Sequence, residues 1–166
     1  MLSGGTRTAA VRYGPTLAEG WVANVMENDA AVGYVVLLGD SVVDNAAYVA
    51  GAPDVVRQVR QQLPQGSKAT LAAVDGSTIG DVRGQLRGVP AGATHLVLSV
   101  GGNDALGRSD FLATPVRSTA EALSGLADIG YEFERAYLAM LADVLARRLP
   151  TAICTVYYPR FPDATL

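Results

Sequence analysis

Four short apolar runs, each ending in glycine or a small polar residue, constrain this chain more than any other feature. They are Tyr34 to Leu38 between Gly33 and Gly39, Ala69 to Val74, Leu96 to Val100 before Gly101 and Gly102, and Ala152 to Tyr157. Unbroken apolar runs of this length, without polar alternation, read as strands buried on both faces, as parallel strands are. Between them lie helical stripes. Val55, Val56, Val59 and Leu63 form one, with Pro53 near its first turn and Pro64 and Gly66 closing it. Thr78 to Leu86 forms a second, shorter one with Ile79, Val82 and Leu86 inward, and Phe133, Tyr137, Met140, Leu141 and Val144 mark a long third, with Thr114 and Pro115 as an N-cap and first-turn pair upstream. Strands separated by helices imply right-handed crossovers and an α/β fold of three layers, α/β/α, around a parallel sheet. Ligands of such sheets bind at the carboxyl ends of the strands, so the chemistry belongs just after each apolar run.

Length and composition set the frame. The 166 residues suffice for one domain, with 33–166 carrying the α/β pattern and 1–32 an N-terminal extension in which Leu17, Trp21 and Val25 repeat at helical spacing. Hydrophobic residues make up 49% and charged ones 17%, a globular balance that argues against disorder. The net charge is -3 and the 13 Lys and Arg form no basic run, which argues against a nucleic-acid partner. No apolar stretch approaches the roughly 20 residues of a membrane span. The first 15 residues lack the apolar core of a signal peptide. With a single cysteine, Cys154, read as a small buried hydrophobe, the balance leans to a cytoplasmic protein. Nothing in the pattern calls for a cofactor or a metal.

Three polar motifs follow three successive strands: Gly39-Asp40-Ser41-Val42-Val43-Asp44-Asn45, Asp75-Gly76-Ser77-Thr78 and Gly101-Gly102-Asn103-Asp104. Singly, each is an ordinary turn or cap. A parallel sheet nevertheless brings the three ends together, and a hydroxyl with several fixed N–H donors is what acyl transfer needs around one carbonyl.

On these residues the chain resembles the SGNH, or GDSL, hydrolases, a family of serine esterases, lipases and acylhydrolases with a flavodoxin-like α/β/α fold. Gly39 to Asn45 is similar to the family's first block, which implies Ser41 as nucleophile. Gly76 is similar to the second, whose glycine N–H serves the oxyanion hole. Gly101 to Asp104 is similar to the third, Gly-x-Asn-Asp, which implies Asn103 as a side-chain donor. Ser41's own backbone N–H completes the set. Asp40, Asp44, Asn45 and Asp104 are expected to hold the loops through side-chain to backbone hydrogen bonds, with Gly39, Gly101 and Gly102 as supporting residues of the same loops. Tyr157, Tyr158, Arg160 and Phe161, after the fourth run, are candidates to line an acyl or alcohol pocket. The resemblance implies a small-molecule ester as substrate.

The pattern stops short of a complete triad. The family places a His three residues after an Asp near its C-terminus, and no such block is present. The single histidine, His95, begins the third run, about 17 Å from its far end at about 3.3 Å per residue. The resemblance spans roughly residues 34–160, four of the family's five strands, so the last strand, the Asp and His loop and the C-terminal helix have no counterpart. The fourth strand is then expected to be an unpaired edge through which the chain self-associates. An alternative reading is an ester- or acyl-binding module without turnover. A flavodoxin-like phosphate site at the Ser41 turn is disfavoured by the acidic Asp40 beside it.

Overall fold

The computed structural model describes residues 32–156. The N-terminal extension and Tyr157, Tyr158, Arg160 and Phe161 lie outside the described residues. Four strands, β1 (Tyr34–Gly39), β2 (Lys68–Leu71), β3 (His95–Ser99) and β4 (Thr151–Ile153), form one sheet in the order β2-β1-β3-β4. Every pairing is parallel, with Val36 opposite Leu96 and Leu38 opposite Leu98 at the centre. Four helices accompany them: α1 (Val55–Gln62), α2 (Val82–Arg87), α3 (Gly102–Leu106) and α4 (Thr119–Leu145). This is the three-layer α/β/α architecture expected from the sequence.

Handedness distributes the helices. The step from β1 to β2 runs one way across the sheet, whereas β2 to β3 and β3 to β4 run the other way. Right-handed crossovers therefore put α1 on one face and α2 and α4 on the opposite face. The core follows this rule. Val36 and Leu38 of β1 and Leu96 and Leu98 of β3 pack with Ile79, Val82 and Leu86 around α2 and with Met140 and Val144 of α4. Val35 and Leu37, which alternate with them and point the other way, are also buried. Each such fully buried Val or Leu contributes about 1.5–3 kcal/mol by leaving water. Helices α2 and α4 are tied further by Arg83 to Asp143 at 2.7 Å and by Arg147 Nη2 donating to the Leu86 carbonyl at 2.7 Å. On the other face Arg60 Nε of α1 donates to the Ala69 carbonyl of β2 at 2.9 Å.

Element boundaries depart from the apolar pattern in four places. β2 ends at Leu71 rather than Val74, because the N–H groups of Ala72 and Ala73 both turn to the Leu37 carbonyl and break the ladder. Helix α1 is capped by Asp54, whose carboxylate accepts from Arg57 N at 2.8 Å, so Pro53 stands before the cap rather than inside the first turn. Thr114 and Pro115 do not start the long helix. Thr114 ends a 3-10 turn, Ser109–Ala113, in the extended conformation that a following proline imposes. Ser118 caps α4 instead, accepting from Glu121 N at 3.2 Å, while Glu121 reaches back to Arg117 N at 2.8 Å. Finally, β4 spans Thr151–Ile153, so Cys154 lies just beyond it, half-buried, with its N–H on the Leu98 carbonyl.

Candidate active site

The first loop leaves β1 through Gly39, whose φ of +122° suits glycine alone. A Cβ there would also lie 1.7 Å from the Ser99 carbonyl oxygen, so the two strand ends meet backbone to backbone. Asp40 N then donates to that same carbonyl at 3.0 Å. The next residues wrap tightly: Val43 N and Asp44 N both donate to the Asp40 carbonyl, and Val42 N donates to Asp40 Oδ1 at 3.0 Å. Ser41 sits half-buried at the crest of this turn. Asp40 is only 3% exposed. Burial pushes its carboxyl pKa above the ordinary value, against the Val42 N–H, and the nearby charges of Asp104 and Asp75 push the same way.

The second and third loops are joined to the first by side chains. Ser77 N closes a turn on the Val74 carbonyl, with Gly76 at φ +79°. A Cβ at Gly76 would meet nothing within 4 Å, so the backbone angle and not crowding by the protein calls for glycine here. Asp44 Oδ2 accepts from Asp75 N at 2.9 Å, and Tyr48 OH donates to Asp75 Oδ2 at 2.6 Å. That hydrogen bond raises the Tyr48 phenol pKa. Asn45 Oδ1 accepts from Val55 N at 2.9 Å and so fixes the start of α1. Gly101, at φ +115°, packs against the ring of Phe133 and turns the chain into α3. There Asn103 Nδ2 donates to the Ser77 carbonyl at 2.9 Å and Asp104 Oδ2 accepts from Ile79 N at 2.9 Å.

Ser41 and Asn103 therefore line one small cleft, about 30 Å³, together with Asp40, Ser99, Gly102 and Thr155. It has room for a water or a carbonyl group. Gly76 stands outside this lining, one residue from the carbonyl that holds Asn103. Gly102, Leu106 and Val156 are shared with an adjoining cavity of about 590 Å³ beside α4. His95 pairs with Val35 at the start of β1, while Ser99 pairs with Gly39, so the histidine stands at the opposite end of the sheet. Its Nδ1 lies 2.8 Å from Thr94 Oγ1. Among the described residues, no three His, Cys, Asp or Glu side chains are grouped to hold a metal ion, and no helix is long and apolar enough to cross a membrane.

Gln85 is the residue that motifs did not reveal. Its amide grips Gly39 from both sides, accepting from Gly39 N at 2.7 Å and donating to the Gly39 carbonyl at 2.8 Å, and it also reaches Ser77 Oγ at 3.2 Å. The signal was present as a polar side chain between Val82 and Leu86, on the inward side of a short helix, where an amide needs partners.

No protein-family model and no curated protein matches the chain. Solved structures do. A phospholipase A1 from Streptomyces albidoflavus NA297 aligns at a TM-score of 0.51 and 22% identity, over 80% of this chain and 62% of that one. An extracellular lipase from Streptomyces rimosus aligns at 0.47 and 22% identity, over 74% and 58% respectively. The chain thus spans about three-fifths of the length of these structures. At this identity the likeness to the phospholipase A1 shows the fold alone, a parallel sheet in an α/β/α arrangement.

Proposed function

We propose that the chain carries the nucleophile and oxyanion hole of an SGNH-type ester hydrolase. The observation that carries this reading is the shared cleft of Ser41 and Asn103 at the carboxyl ends of β1 and β3. A primary amide has two N–H donors, and the Ser77 carbonyl occupies one of them, which aims the other. Ser41 Oγ adds to the ester carbonyl carbon as its proton passes to solvent water, and the carbonyl electrons move onto oxygen. The Ser41 N–H and the Asn103 amide of the cleft stabilise that oxyanion, each donor being worth about 3 kcal/mol of barrier. The C–O bond then breaks, the alcohol departs with a proton, and water releases the acid from the acyl-serine.

The one histidine of the 166 residues stands at the other end of the sheet, and Asp40 already accepts the Val42 N–H. That placement favours a second reading, in which the cleft binds an ester without turning it over. Hydrolysis of p-nitrophenyl acetate separates them. Ser41→Ala abolishes turnover under the first reading, Asn103→Ala lowers kcat about a hundredfold with less effect on KM, and His95→Gln changes little. Equal losses in Ser41→Ala and His95→Gln, or turnover that ignores Ser41, refute the assignment, and no turnover at all leaves the binding reading.

A further inference from the structure

The end of β2 leaves the Gly39 N–H without a strand partner. The register that sets Leu37 opposite Leu71 would bring Ala73 beside Gly39, but Ala73 N turns to the Leu37 carbonyl and the ladder stops. Gly39 is buried, and a buried backbone N–H left unpaired costs about 1–3 kcal/mol. Gln85 of α2 fills the gap from outside the sheet. Its Oε1 accepts from Gly39 N at 2.7 Å, and its Nε2 donates at 2.8 Å to the Gly39 carbonyl, which also accepts from Val74 N at 3.1 Å. The side-chain amide thus presents to Gly39 the donor and acceptor that a neighbouring strand would present.

The second Nε2 hydrogen of Gln85 runs on to Ser77 Oγ at 3.2 Å, so both donors of the amide are taken. Ser77 is 7% exposed and is bonded through each of its polar groups. Its N–H closes the turn on the Val74 carbonyl at 3.1 Å, its Oγ accepts from Gln85, and its carbonyl accepts from Asn103 Nδ2 at 2.9 Å. A continuous run of hydrogen bonds therefore leads from Gly39, just before the Ser41 turn, through Gln85 and Ser77 to the amide that shares the cleft with Ser41. The other bonds between these loops, from Asp75 N to Asp44 and from Ile79 N to Asp104, involve neither Ser77 nor the Asn103 side chain.

We infer that Gln85 and Ser77 form one positioning unit that sets the Asn103 amide against Ser41. Gln85 fixes Ser77 to the end of β1, and the Ser77 carbonyl takes one Asn103 N–H and so aims the other. Neither residue touches the ester. The consequence for an ester rests on the hydrolase reading; the coupling of Gln85 to the Asn103 amide does not. Nuclear magnetic resonance of the isotope-labelled whole chain reads that amide directly, its signal being identified by its absence in Asn103→Asp. The signal should move in Gln85→Leu, although Gln85 makes no bond to Asn103, and in Ser77→Ala. The double variant should move it no further than the larger single change, because both substitutions break the same run. Ser77→Thr, which keeps the hydroxyl, should restore the wild-type position. Ser77→Ala leaves both Gly39 bonds in place, so it reports even where Gln85→Leu does not fold. On p-nitrophenyl acetate, kcat should fall about tenfold or more in each single variant with KM changed less. An Asn103 signal that stays in place in Gln85→Leu or Ser77→Ala, fully additive shifts, or a moved signal with unchanged Ser41-dependent kcat overturns the proposal. A wild-type chain without Ser41-dependent turnover, whose Asn103 signal still answers to Gln85 and Ser77, removes the hydrolase reading and leaves the coupling standing.

Discussion

Asp40 shows what a single residue costs and gains at this site. Its backbone carbonyl gathers two N–H groups and its Oδ1 a third, so it shapes the turn that presents Ser41. In exchange, a carboxylate is held in a buried position with its pKa above the ordinary 3.8. Below that ordinary value Asp40 is protonated folded or unfolded and its ionisation is neutral to stability. As pH rises, the unfolded chain ionises first, so stability falls across the window up to the raised folded pKa and the penalty persists above it. Asp40→Asn keeps the acceptor for Val42 N and removes the charge. Its urea midpoint should exceed wild type at pH 7, and the difference should vanish as pH falls below 3.8; a variant less stable at pH 7 would show that Asp40 is stabilising as an anion. The motif residues themselves were legible in the sequence, because Ser41, Gly76 and Asn103 follow apolar runs. The angles were not: the motif does not tell that Gly76 stands at a positive φ with open space at its Cβ.

At the scale of elements, the loops are held by one another more than by their own strands. Asp44 to Asp75, Asn103 to Ser77 and Asp104 to Ile79 each cross from one loop to another. Helix α2 joins this lattice through Gln85. Gln85→Leu leaves two Gly39 backbone groups without their partner, which should destabilise by about 1–3 kcal/mol in urea unfolding. Because Gly39 immediately precedes the Ser41 turn, kcat on activated esters should fall while KM changes less. Loss of stability with kcat unchanged would make Gln85 purely structural. Strand and helix identities were readable from period, since β1 and β3 are unbroken apolar runs and α4 a clear stripe. Boundaries failed where side chains outvoted period. The Ser118 and Glu121 pair, a capping signature, lies four residues past the Thr-Pro pair that looked like the start of α4. The helix α3 and the 3-10 turn after it carry too few periodic residues to be read at all, and with them went the wall of the large cavity.

For the whole molecule, the order β2-β1-β3-β4 puts the three motifs at adjoining strand ends, and this much followed from alternating strands and helices. The same order leaves β4 as the last strand among the described residues, short, with Ile153 43% exposed. We expect such an edge to pair with another copy of the chain, giving dimers or larger species in sizing chromatography that Ile153→Lys shifts toward monomer. A monomer of the wild-type chain at micromolar concentration would contradict this. The central claim, however, is that Ser41 is a nucleophile facing fixed N–H donors, and the most direct measurement is covalent. The purified chain is treated with a fluorophosphonate probe and the modified residue is located by peptide mass spectrometry. Slow, stoichiometric labelling is expected at Ser41, slow because the only histidine lies at the far end of the sheet, and none in Ser41→Ala. Labelling spread over other hydroxyls, or the same extent of labelling in Ser41→Ala, would contradict it.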